Sequence, residues 1–255
     1  MDTDRYLAAI EMDAAIMLAA ATAVPLDTPV PSCPGWTMRD LIVHTGVVHR
    51  HKTAIVRHGL IDGAAPQPPE PTSDEIQWFG DGVDEMLAVF RAADLGLPTW
   101  TWCTHDHAAE WWVRRMAHET AIHGADALIT TGQSPQLDEW LGLDGVDELL
   151  DEMMVGAPDW AEVAELDNVV GLRSGDREWL LRPATFSGTS TVTGKAYEDF
   201  STVMYAEGEP DAVVSTDGST MDLWLWGRGD LAADQVDGDE SLVLLIREIA
   251  AESTQ

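Results

Sequence analysis

Cysteine, lysine and positive charge are all scarce in this chain. Its two cysteines, Cys33 and Cys103, leave no disulfide framework and no CxxC knuckle for a structural metal. Both read as free thiols in a reducing compartment. Only Lys52 and Lys195 are lysines, and 14 Lys plus Arg against 45 Asp plus Glu give a formal net charge of -31. A field of that sign repels phosphate backbones and anionic lipid surfaces, so neither nucleic acid nor membrane is expected as a partner. Long apolar runs are missing too: the longest, Ala14 to Leu26, contains Pro25 and is shorter than the roughly 20 residues that span a bilayer. The opening Met1-Asp2-Thr3-Asp4-Arg5 lacks the cationic region and cleavage site of a signal peptide. A cytoplasmic protein is expected. What the chain does have is 255 residues, 45% of them apolar, enough for one large or two ordinary cores.

Hydrophobic spacing divides the chain into a helical part and a mixed part. Leu7, Ile10, Ala14, Met17, Ala21 and Val24 follow the 3-4 spacing of a bundle helix starting near Thr3. Pro25, Pro29, Pro31 and Pro34 end it. A second helix is expected after Pro34-Gly35-Trp36, with Thr37 as its cap and Asp40 as the acidic member of a capping box. Its inward face reads Leu41, His44, Val48, His51 and Ile55. A Pro-rich loop, Ala64 to Pro71, leads to a third helix over about Ser73 to Ala93, and a fourth covers about Ala108 to Thr130. Four such helices make a bundle, an architecture in which inward side chains from facing helices build metal sites.

The fourth helix carries the densest chemistry. Glu119 and His123 are four residues apart and therefore one turn apart on one face, with Trp112, Met116 and Asp126 along the same face. An inward carboxylate is costly unless paired or metal-bound. His44 on the second helix is the natural third ligand, and a His, Glu, His set with open positions suits a catalytic zinc or non-haem iron(II). Spacing does not choose between them. His49 and His51 are expected at the surface or rim, as are His58, His105 and His107, while His118 reads as a packing residue beside the site. Nothing around Cys33 argues for a lowered thiol pKa.

The stretches Cys33 to His44, Thr99-Trp100-Thr101-Trp102 and Arg114 to Asp126 resemble the N-terminal domain of mycothiol-dependent maleylpyruvate isomerase-family proteins, which are DinB-like four-helix bundles. The resemblance implies His44, Glu119 and His123 as ligands of a divalent metal, with zinc the first choice, and mycothiol as cofactor. Asp126 would orient the His123 imidazole.

Beyond an acidic fifth helix, about Gly145 to Met154, the pattern turns to strands. Val169 to Arg173 and Trp179 to Arg182 flank Ser174-Gly175-Asp176 as a hairpin, with further strands at Ser201 to Tyr205 and Ala212 to Ser215. Helices are expected at about Thr220 to Gly227 and Glu240 to Ala251. With Leu223 to Arg228, this part resembles the family's small α/β domain, similar to a sterol-carrier-protein fold. The expectation is an α+β protein: residues 1–158 a DinB-like metal-binding bundle, residues 159–255 a small α/β domain, as monomer or homodimer.

The activity implied is addition of the mycothiol thiolate to a small-molecule electrophile, ending in cis/trans isomerisation or thiol S-transfer. The resemblance assigns Arg228 to an acidic substrate group or developing enolate. Trp224 and Trp226 read as domain packing rather than substrate stacking. Many relatives carry Arg-Trp directly after the ligand histidine, where this chain has Gly124-Ala125. More room and one fewer cation near the metal would favour a bulkier or less charged electrophile. The alternatives are a metal hydrolase-type enzyme without thiol cofactor and a non-catalytic binding or regulatory module on the same fold.

Overall fold

The computed structural model describes residues 2–62, 65–72, 74–103 and 107–254. His105 and Ser73 therefore lie outside the described residues. The chain divides into two compact units, residues 1–136 and 137–255.

The first unit is built from α1 (Thr3–Ala23), α2 (Met38–His58), α3 (Glu75–Ala92) and α4 (Ala109–Thr130). α1 packs mainly on α4 and α3, and α2 on α3 and α4. The buried stripe of α1 includes Leu7, Ile10, Ala14, Met17 and Ala21, as its spacing predicts. This helix is long and apolar enough to cross a bilayer, yet half of its most apolar window is buried inside the unit, as in a bundle core helix. α2 starts on the expected box: Thr37 accepts from Asp40 N while Asp40 accepts from Thr37 N. Its buried stripe runs through Met38, Leu41, Ile42, Thr45, His49, Thr53 and Val56. The stripe is thus rotated from the expected one. His44 and His51 stand at its edge, half-buried, and His49 is in the core rather than at the rim.

The segment before α2 folds back on itself. Val30 N donates to Trp36 O at 2.9 Å and Met38 N to Thr28 O at 2.9 Å, closing a loop over residues 31–35. Gly35, at φ 88°, makes the turn that a side chain would strain.

The second unit begins with α5 (Glu139–Leu149), which runs on into a π-helical turn, Leu150–Met154. Here the structure departs from the expected boundary at 158. α5 lies against α6 (Gly218–Leu225), so close that a Cβ on Gly142 would come within 2.6 Å of the Gly218 backbone. Glu139 also caps α6, accepting from Gly218 N at 2.9 Å. Close backbone approach and this cap tie the fifth helix to the sheet unit.

Six strands form one sheet: β1 (Glu162–Glu165), β2 (Val170–Ser174), β3 (Arg177–Thr189), β4 (Ala196–Tyr205), β5 (Ala212–Ser215) and β6 (Val236–Gly238). β2 and β3 form the expected hairpin, with Ser174 opposite Arg177. The long β3 pairs with β2 and then β1 along one edge and with β4 along the other. β2 joins β5 in parallel, and β5 joins β6 antiparallel. Alternate residues of the sheet, among them Val170, Leu172, Leu181, Val203 and Val214, meet Val146, Leu149, Trp224 and, from α7 (Glu240–Ser253), Ile246 and Ile249 in one core. Trp224 is buried there and Trp226 packs at its edge.

Candidate metal centre

The face of α4 that bears the site carries Arg115, Glu119, His123 and Asp126, each about one turn from the last. His44 reaches it from α2. The two helices are clamped nearby by His49, whose Nε2 stands 2.9 Å from Thr120 Oγ1. That hydroxyl gives its proton to Met116 O at 2.6 Å, so His49 must be the donor. Burial pushes the His49 imidazole down to about pKa 3, keeping it a neutral part of the core.

One ligand atom each from His44, Glu119 and His123 lie within 4.8 Å of one another. Glu119 Oε1 is 3.5 Å from His44 Nε2 and 3.5 Å from His123 Nε2. Donors held about 2.0–2.2 Å from a four-coordinate zinc stand roughly 3.3–3.6 Å apart, so these spacings fit such an ion. The His44 side chain is 41% exposed against 17% for Glu119 and 12% for His123, which leaves the centre open on the His44 side.

His123 and Glu119 are each oriented from behind. His123 Nδ1 donates to Asp126 Oδ2 at 2.9 Å, which turns Nε2 toward Glu119. Asp126 is fully buried and also accepts from Ser32 Oγ at 2.5 Å and from the Cys33 thiol at 3.4 Å. The loop before α2 is thereby tied to α4, and its Trp36 ring lies 4.8 Å from His44 and stacks 6.1 Å from His123. Glu119 Oε2 accepts from Arg115 Nη2 at 3.0 Å.

Electrostatics follow from these contacts. Burial pushes His123 down, but its hydrogen bonds to Asp126 and Glu119 and their charges outweigh it and raise the imidazole to about 9. Burial likewise pushes Glu119 up, and the bonds to His123 and His44 with the charges of His123 and Arg115 overturn it, holding the carboxyl well below its ordinary range. Without metal, the centre holds a carboxylate against an imidazolium.

The structure thus brings together His44, Glu119, His123 and Asp126. Arg228 belongs to the second unit, where its Nη1 donates to Trp226 O at 2.5 Å. His51 takes a bond from Lys52 Nζ at 3.1 Å, and His58 and His107 are exposed. His118 is buried, its ring edge-on to Tyr6 at 6.2 Å. Gly124 does not open space at the centre. A Cβ there would meet Asp13 of α1 at 3.5 Å, so the residue serves the α1–α4 contact instead. Sequence reasoning passed over Ser32, Trp36 and Arg115 as site residues. The Arg115 to Glu119 spacing was visible as an i,i+4 pair, whereas nothing local marks Ser32 or Trp36.

Residues 7–128 match the family described as "Mycothiol maleylpyruvate isomerase N-terminal domain", and residues 141–244 match "MDMPI C-terminal domain". No curated protein matches significantly. Among solved structures, a mutant of the mycothiol-dependent maleylpyruvate isomerase aligns with TM-score 0.59 and 13% identity over 92% of both chains. Another structure of a mycothiol-dependent maleylpyruvate isomerase gives 0.56 and 14%, again over 92% of both. At such identities the likeness concerns the fold, while the two family matches between them take in nearly the whole chain. In both of its units, therefore, the chain belongs to the mycothiol maleylpyruvate isomerase family.

Proposed function

We propose that this chain is a metal- and mycothiol-dependent enzyme that adds the thiolate to an electrophilic small molecule. The observation that carries the reading is the geometry of His44, Glu119 and His123: donor atoms within 4.8 Å, open on one side. A divalent ion held there, zinc by the His, Glu, His donor set, would lower the pKa of a bound thiol and supply thiolate at neutral pH. The chain's own residues supply the rest. Asp126 holds a His123 proton on Nδ1, so that Nε2 is the nitrogen left to give its proton up to a metal, and Trp36 braces both imidazoles.

Thiolate addition to an activated C=C bond forms a C–S bond and moves the π electrons onto the conjugated carbonyl as an enolate. The former double bond is then single and rotates. Expulsion of the thiolate restores the double bond in the trans form; protonation of the enolate instead leaves a thioether, the S-transferase outcome. Arg228 is assigned to the acidic group or the enolate of that substrate.

The test is metal content of the purified chain by elemental mass spectrometry, with mycothiol titrated into the wild type. About one zinc per chain is expected, lost in His44→Ala, Glu119→Ala and His123→Ala but kept in His51→Ala and Arg228→Ala. Arg228→Ala should lower turnover only. Full metal in all three ligand variants would end the assignment.

A further inference from the structure

Glu119 presents its two oxygens to different partners. Oε1 faces both histidines at 3.5 Å, while Oε2 is held by Arg115 at 3.0 Å. The Arg115 side chain is 5% exposed, far from the solvated setting in which i,i+4 pairs are ordinary and weak. A guanidinium so buried is costly unless paired, and it stays charged at every working pH. Lys52 sets its ammonium 4.5 Å from the centre of the Trp112 ring and 3.1 Å from His51 Nδ1 instead.

We infer that Arg115 is a positioning residue for the metal ligand Glu119: it occupies Oε2 and so offers the metal one oxygen, Oε1, in a fixed orientation. A glutamate released from this contact has a free terminal torsion. It can then present either oxygen, or both. Single-oxygen ligation leaves coordination positions for thiol and substrate, which two-oxygen ligation would take. The inference rests on the metal reading above, and the experiment separates the two.

Zinc affinity is measured by chelator competition on the stripped full-length chain, with the visible absorption of the cobalt(II)-substituted protein as report on coordination. Arg115→Gln is expected to bind zinc about 10–100-fold more weakly, the usual effect of losing a partner behind a ligand. Its cobalt spectrum should change while far-UV circular dichroism does not. Arg115→Lys keeps the charge but not the planar fork, and should fall between, within about tenfold of wild type. An Arg115→Gln protein with wild-type affinity and cobalt spectrum overturns the inference and leaves the metal reading standing. If Arg115→Gln does not fold, Arg115→Lys decides, and wild-type values there overturn it. Losses equal in both variants and matched by a lower melting temperature of the metal-free protein would make Arg115 a packing residue. A wild type that binds no zinc, like His123→Ala, removes the metal reading and this inference together.

Discussion

Asp126 is the residue on which the centre is hung. Its buried carboxylate joins the imidazole of His123 to a loop more than ninety residues away, through Ser32 and Cys33. The same contact raises His123 to about 9, against an ordinary 6.5. A folded-state value above the unfolded one stabilises the metal-free protein fully below 6.5, and that contribution is lost as pH rises through about 9. The metal must also displace this proton, so zinc affinity is expected to rise with pH until about 9 and then level. In Asp126→Asn the plateau should come at lower pH and lie about 10–100-fold weaker. Zinc titrations across pH decide it; identical curves for both proteins would refute the role given to Asp126.

At the scale of elements, the centre depends on two helices from distant parts of the chain keeping one spacing. His49 donating to Thr120 sets that spacing deep in the bundle, and the capping box at Thr37 sets where α2 begins. Both features came from residues that local rules treat differently. The cap was legible because Thr37 and Asp40 act within one turn. His49 was not, because which stripe of α2 faces inward depends on α3 and α4. The fifth helix teaches the same lesson: its helical character was evident, but its place in the sheet unit rests on Gly142 meeting Gly218. Gly142→Val is expected to push α5 from α6 and destabilise the second unit by about 1–3 kcal/mol. Urea unfolding would measure it, and an unchanged midpoint would mean that the close approach is not needed.

For the whole molecule, the division at residues 136 and 137 places every proposed metal ligand in one unit. Residues 1–136 expressed alone are expected to fold as a helical bundle and bind one zinc with an affinity near that of the full chain. Circular dichroism and chelator competition test this. A folded fragment that binds no zinc, beside a full chain that does, would show that the centre needs the second unit. The net charge of -31 spreads over the whole chain, and its self-repulsion makes added salt stabilising for either form.

Much of this protein was determined by sequence alone. The helical periods, the cap at Thr37, the hairpin around Gly175 and the one-turn pairing of Glu119 with His123 all follow from backbone geometry acting over a few residues. Tertiary structure alone decided the rest: that His49 rather than His51 turns into the core, that Ser32 and Trp36 brace the centre, which oxygen of Glu119 Arg115 takes, and that α5 leaves the bundle. Contacts between distant segments depend on how whole faces pack, and a side chain's partner across a helix interface is set by that packing rather than by its neighbours in the chain.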